Sequence, residues 1–300
     1  MTLALGLLAH GGAVIAADRE QGHGTLKADQ GKISAAWIRD RGHLAISGAG
    51  NGPYLDSFAA SFMEWFKNDA TQFESAKFQE EFETKNYEFY QKFVLPFSPY
   101  EEAVDYELIA CFYPAASAEE IAFAAKIGAT PGRHPALWTS HKLTVLKEEP
   151  FAAVGFGATT AKALLSKFWV PLLPLEVAVN LAAYVAYQVK QTVKDVGLET
   201  DILLIRQTTL PTYVDRDEIA AMEAKFTDYR RTERENLYYC LGGDLAEHEE
   251  FLWKPGEHKR REKSVRKFFE QLNAKRLSQW GLKKRPRAKL PIPEKSERGR

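Results

Sequence analysis

Thr2-Leu3-Ala4-Leu5-Gly6-Leu7-Leu8-Ala9, His10-Gly11-Gly12, Ala13-Val14-Ile15-Ala16-Ala17-Asp18: the reading of this opening stretch decides the fold. Two short apolar runs flank a Gly-Gly turn, which predicts strand, tight turn, strand. The first run has the apolarity of a signal peptide but no positive segment ahead of it. His10-Gly11-Gly12 also interrupts it.

Working outward, a polar, Gly-rich loop follows Asp18 through Gly31. Residues 32–38 and 43–47 read as a second hairpin around Arg39-Asp40-Arg41-Gly42. Gly48-Ala49-Gly50-Asn51-Gly52-Pro53 reads as a loop of small residues. Leu55, Phe58, Phe62, Trp65 and Phe66 recur at helical spacing, and a second helix is predicted over 71–94. Residues 107–113, 136–146 and 151–154 read as strands. Helices over 158–168 and 175–193 and a strand over 201–206 follow. Strands, two helices, strands, two helices and a strand make a layered α/β order without strict βαβα alternation. Two mainly antiparallel sheets covered by helix pairs fit it.

The chain of 300 residues is 45% hydrophobic and 27% charged, the balance of a soluble globular protein. The apolar run 170–189 carries Pro171, Pro174, Glu176, Asn180 and Gln188, which argues against a membrane span. Cys111 and Cys240 form no disulfide framework, so a cytoplasmic location is expected. Net charge is zero but unevenly spread. Residues 259–300 hold 16 Lys or Arg and 4 Asp or Glu, a net of +12, leaving −12 on residues 1–258. The expected division is a domain over 2–210, a charged helical extension over 211–282 and a basic disordered tail over 283–300.

Removal of Met1 would leave Thr2 with both a hydroxyl and a free α-amine. An α-amine titrates at about 7.7–8.0, so it can serve as a general base near neutral pH. A threonine activated by its own amine is a known form of nucleophilic catalysis. The seven histidines form no cluster, and no Gly-rich segment has phosphate-cradling spacing, so no metal and no cofactor is expected.

The run from Thr2 through Ala16-Ala17-Asp18-Arg19 resembles the opening of proteasome β-type subunits, members of the N-terminal-nucleophile hydrolases. Gly31-Lys32-Ile33 matches that family's strand-opening lysine, and Gly48-Ala49-Gly50 its glycine-rich oxyanion loop. Ala153-Val154-Gly155-Phe156-Gly157-Ala158 resembles its strand-to-helix turn. Residues 175–197 and 201–205 look like its closing helix and strand. Singly these are a strand end, a strand start, a loop and a helix C-terminus; their order over residues 2–207 carries the resemblance.

The resemblance implies a four-layer αββα sandwich plus a helical C-terminal extension. It implies Thr2 as nucleophile, Lys32 beside it, Asp18 orienting Lys32, and Asp195 supporting the amino terminus. Backbone N–H groups at Gly48, Ala49 and Gly50 would hold the oxyanion. It also implies a bacterial type of subunit without a propeptide, in a homo-oligomer of ring-like form, acting on peptides or unfolded protein. The chain departs from the pattern at Phe156 and Leu198, where serines are usual, and at Glu20, where a basic residue is common.

Two functions follow: a threonine-type peptidase or amidohydrolase subunit, and a non-catalytic assembly or interaction protein on the same scaffold. The aromatic residues of the two helices over 54–94 predict a further apolar surface covered by a partner. In 259–300, basic residues alternate with Phe268, Phe269, Leu272, Leu277 and Trp280. Such a segment suits an acidic face of a neighbouring subunit, favoured here, or nucleic acid.

Overall fold

A computed structural model describes residues 2–23, 26–68, 75–97, 106–127, 133–194, 196–207, 209–240 and 257–280. The chain divides into two compact units, Met1–Leu252 and Trp253–Arg300.

The first unit is a layered α/β structure with two five-stranded antiparallel sheets. One has the order β10(Phe151–Gly155)-β1(Leu3–Ala9)-β2(Gly12–Asp18)-β11(Thr200–Arg206)-β12(Thr209–Tyr213). The other runs β5(Ser34–Ile38)-β6(Gly42–Gly50)-β7(Tyr106–Pro114)-β8(Ala136–His141)-β9(Thr144–Glu148). The opening stretch forms the centre of the first sheet. β1 and β2 pair from Ala4↔Ala17 to Ala9↔Gly12, and both are almost wholly buried. Strands covered on both faces need apolar residues at every position rather than alternation, which is why 2–9 and 13–17 are continuous apolar runs.

The two sheets face each other across Ile15, Ile109, Leu137, Val154, Leu203 and Ile205. On the outer face of the second sheet lie α1(Gly52–Asn68) and α2(Ser75–Phe89). Phe58, Phe62, Phe66, Phe78, Phe82 and Phe89 interlock there with Phe112 and Trp138, the rings of Phe78 and Phe112 stacking at 4.6 Å. The expectation that these aromatics signal a partner-covered surface is therefore corrected. They are intramolecular core, with Tyr87 and Phe93 the exposed members; Phe73 lies outside the described residues. α4(Ala158–Phe168) and α5(Leu175–Thr192) cover the first sheet. α6(Arg216–Cys240) packs on α5 through Tyr184–Phe226 ring contact at 5.3 Å and a Lys190–Glu223 ion pair at 2.5 Å.

Several elements differ from the sequence reading. The loop expected after Asp18 contains a two-stranded hairpin, β3(Glu20–His23) and β4(Leu26–Asp29). Gly48-Ala49-Gly50 is the end of β6, paired with β7 as far as Gly50↔Tyr106, rather than a loop. The run 136–146 is a hairpin turning at Lys142, which has φ 53. α3(Ala118–Ile127) and β12 were not expected.

The second unit has one described element, α7(Glu257–Gln279), a helix of strongly charged sequence that covers the basic helix expected over 259–280 as far as Gln279. The tail over 283–300 lies outside the described residues. Among the described residues no helix is long and apolar enough to cross a membrane.

Candidate active site

Thr2 sits at the entry of β1, at the point where the first sheet meets the end of β6. Its neighbour Leu3 pairs with Gly155 on one side, and the Leu3 N–H donates to Asp18 Oδ1 at 2.8 Å on the other. Asp18 closes β2 and is fully buried. The strand pairing thus brings residues 2 and 18 together, because the hairpin turn at Gly11 folds the chain back on itself.

Lys32 enters from the segment ahead of β5. Its Nζ donates to Thr2 Oγ1 at 3.1 Å, to Asp18 Oδ1 at 3.2 Å and to the backbone oxygen of Glu20. An ammonium has three N–H bonds, so Lys32 is fully engaged. Burial pushes Lys32 below its usual pKa, against the pull of Asp18 and of Glu20. Burial likewise raises Asp18, against Lys32 and the Leu3 and Gly197 N–H groups. The charged pair is held by geometry in a place that favours its neutral form, so a proton on Lys32 is more easily given up than on an exposed lysine.

Arg19, between Asp18 and Glu20, points away from Thr2. It bridges Asp29 and Asp201, each at 2.5 Å, and fixes the start of the β3 hairpin against β11. Glu20 is itself buried, and a Cβ on Gly197 would lie 2.3 Å from Glu20 Oε2. The Gly197 N–H in turn reaches Asp18 Oδ2 at 3.5 Å.

The residues expected to hold the oxyanion, Gly48, Ala49 and Gly50, are the last three of β6. Gly48 and Gly50 line a small open cleft that also contains Thr2 and Lys32. Ala49 turns its methyl between the sheets. A side chain at Gly48 would collide with Glu107 O at 2.5 Å and Leu55 Cδ2 at 2.6 Å, and Gly50 has φ 111. The glycines let β7 and α1 approach the strand closely. Asp195 lies outside the described residues. Phe156 and Leu198 are 64% and 48% exposed, so neither brings a hydroxyl to Thr2 or packs into the core.

Sequence reasoning placed Thr2, Asp18 and Lys32, and these three meet. It passed over the buried carboxylate of Glu20, over Asp56 on the cleft wall, and over Ser47, whose buried hydroxyl lines the cleft without a hydrogen-bond partner among the described residues. It also passed over Glu107, which accepts the Gly155 N–H and bonds His141 at 2.9 Å. These residues look like ordinary surface polarity in one dimension. Only the deviation at Glu20 carried a signal. Among the described residues no group of three potential metal ligands occurs.

No protein-family model matches the chain, and no curated protein sequence matches it. Solved structures do. Anbu (ancestral beta-subunit) from Yersinia bercovieri superposes with a TM-score of 0.60 at 12% identity, over 77% of this chain and 95% of that one. The chain has the Anbu fold. The Anbu of Pseudomonas aeruginosa, solved as a helical assembly of the Anbu complex, matches with a TM-score of 0.62 at 15% identity, over 78% and 96% of the two chains. An Anbu (Gly-1) mutant from Hyphomicrobium sp. strain MC1 matches with 0.60 at 13% identity, again over 78% and 96%. At these identities the likeness is one of fold. It covers nearly the whole of each Anbu chain, and a β-subunit fold agrees with the resemblance carried by the Thr2–Asp18 hairpin.

Proposed function

We propose that the chain is a threonine-type peptidase or amidohydrolase subunit that uses Thr2, exposed by removal of Met1. The observation that carries this is the contact of Lys32 Nζ with Thr2 Oγ1 at 3.1 Å and Asp18 Oδ1 at 3.2 Å on the wall of an open cleft.

In this reading Thr2 Oγ attacks the carbonyl carbon of a peptide bond. Its proton passes to the free α-amine of Thr2, directly or through water, and then to the leaving amine. Lys32 stabilises the hydroxyl as it loses its proton, and Asp18 keeps Lys32 aimed at it. N–H groups at Gly48–Gly50 hold the negative oxygen of the tetrahedral intermediate. The resulting ester on Thr2 is hydrolysed by water, with the amine again as base. Asp195, by the resemblance alone, supports the amine. The reading needs no metal or cofactor.

A second reading, a non-catalytic assembly protein, is favoured by one observation. Phe156 and Leu198 put exposed apolar side chains where the resemblance implies serines. Both readings are compatible with a cytoplasmic homo-oligomer; the helical assembly of the Pseudomonas aeruginosa protein supports self-association.

Intact-mass measurement, with hydrolysis of a panel of fluorogenic peptides by wild type and Thr2→Ala, separates the two. Loss of Met1 together with cleavage that vanishes in Thr2→Ala supports the peptidase. Retained Met1 and no difference between the two proteins leaves the assembly reading.

A further inference from the structure

The cleft beside Thr2 has an electrostatic asymmetry. Two charged side chains line it, Lys32 and Asp56. Lys32 already directs its three N–H bonds at Thr2 Oγ1, Asp18 Oδ1 and Glu20 O. None is left for a substrate side chain. Asp56, one turn into α1, accepts a hydrogen bond at Oδ2 from the neutral amide of Gln30 at 3.0 Å and has no cationic partner among the described residues. The Lys32 charge is answered by Asp18, whereas Asp56 has no cationic side chain beside it among the described residues, so the cleft offers an entering side chain an open carboxylate.

Beyond these charges and the polar Thr2, Gln30, Ser34 and Ser47, the wall is apolar or small. Ile46, Leu55, Ala59 and Leu108 supply hydrocarbon, and Gly48, Gly50 and Gly52 leave room. This combination suits a side chain with a long apolar stem and a cationic head. Lys and Arg bury their methylene stems along apolar surface while the charged end stays at a polar edge. A guanidinium also forms charge-assisted hydrogen bonds with a carboxylate. A purely aliphatic side chain would fill the wall but leave Asp56 unanswered. An acidic one would meet a like charge at Asp56.

We propose that this cleft selects Lys or Arg at the residue whose carbonyl Thr2 attacks, with Asp56 as the specificity-determining carboxylate and Gln30 holding it in place. The inference rests on the reading of Thr2 as nucleophile, since that makes the adjoining cleft the seat of the residue being cleaved. Asp56 is exposed, so solvent screens its charge and the preference is moderate. An exposed pair contributes up to about 1 kcal/mol, or about fivefold. Replacing attraction with repulsion doubles that on a logarithmic scale, to roughly 25-fold.

Two measurements test it. In the first, kcat/KM is compared for fluorogenic peptides differing only in Arg, Lys, Leu or Glu at the cleaved position. Arg and Lys should exceed Leu about fivefold and Glu roughly 25-fold. Asp56→Asn should erase the preference over Leu, and Asp56→Arg should turn it toward Glu. Preference for Leu or Glu in the wild type, or an Arg-to-Leu ratio unchanged in Asp56→Asn, overturns the proposal. In the second, Thr2→Ala protein is titrated calorimetrically with acetylated peptide amides ending in Arg, Leu or Glu. Tighter binding of the Arg peptide, lost in the Thr2→Ala, Asp56→Asn double variant, supports the cleft's selectivity without any turnover. No cleavage of any peptide together with Arg-selective binding removes Thr2 as nucleophile and leaves the cation preference standing. Charge-blind binding overturns the preference whatever the activity.

Discussion

Gly197 lies so close to Glu20 that a methyl group on it would stand 2.3 Å from Glu20 Oε2. The bare backbone at 197 admits a buried carboxylate beside the Lys32–Asp18 pair. The charges that act on Lys32 are Asp18 and Glu20, which favour its protonated form, and Arg19, which opposes it. In Glu20→Gln the shape is kept and one negative charge is lost, so Lys32 gives up its proton at lower pH. If protonated Lys32 supports catalysis, the alkaline limb of kcat/KM should move down by about half a pH unit. A scaled profile with unmoved limbs would assign Glu20 a packing role alone.

Gly155 and Gly11 form a matched pair for a second test. Both have positive φ, 92 and 87. A Cβ at Gly11 meets nothing within 4 Å, whereas one at Gly155 would lie 2.2 Å from Thr2 O and 2.7 Å from Ala49 Cβ. Gly11→Ala should cost about 1–2 kcal/mol from backbone strain. Gly155→Ala should cost more in denaturant unfolding and should cut peptide cleavage by displacing Thr2. Equal destabilisation by the two would mean that the crowding at Thr2 relaxes freely.

His43 supplies a test of stability against pH. It is buried at the far end of β6 from Thr2, between Trp37 and Tyr113, with Nε2 donating to Gln207 O at 3.2 Å. Burial lowers its pKa below the usual 6.5. The unfolded chain therefore takes up this proton before the folded one does. Stability from the neutral imidazole is present above about pH 6.5 and is lost as pH falls through it. Thermal unfolding from pH 7.5 to 5.5 should fall more steeply for wild type than for His43→Gln; parallel curves would contradict this.

The basic segment gives a fourth. If 259–280 docks on an acidic face of a neighbouring subunit, deleting 259–300 should weaken assembly, and salt should weaken it in the intact chain by screening. Sedimentation at low and high salt reads this directly. Unchanged assembly with loss of salt-sensitive RNA binding would assign the segment to nucleic acid instead.

The parts of the fold legible in one dimension were those where burial leaves a pattern. Strands covered on both faces, such as β1 and β2, became uninterrupted apolar runs, and the helix carrying Phe58, Phe62 and Phe66 showed its period. Among the described residues the β3–β4 hairpin forms a two-stranded sheet of its own, and Glu20-Gln21-Gly22-His23 carries no apolar alternation to announce it. Gly48-Ala49-Gly50 reads as a loop because small residues usually break strands. Here they are small because β7 and α1 press on the strand, a fact of tertiary contact. Thr2 and Lys32 were found through their order along the chain and Glu20 was marked by its departure from the pattern, while Asp56 gained meaning only when folding set it on the same cleft.

Because Thr2 precedes the central strand directly, its place is indexed by the pairing of Leu3 with Gly155 and of Ala4 with Ala17. A slip of one residue would bring Leu3 to the position of Thr2, exchange the two covered faces of β1 and put a leucine at the place of Gly6, where even a Cβ would lie 2.9 Å from Leu137 Cδ2. The molecule therefore has no well-packed state in which the threonine is misplaced. Assembly of the core doubles as proofreading of the nucleophile, and a chain that passes the first has already passed the second.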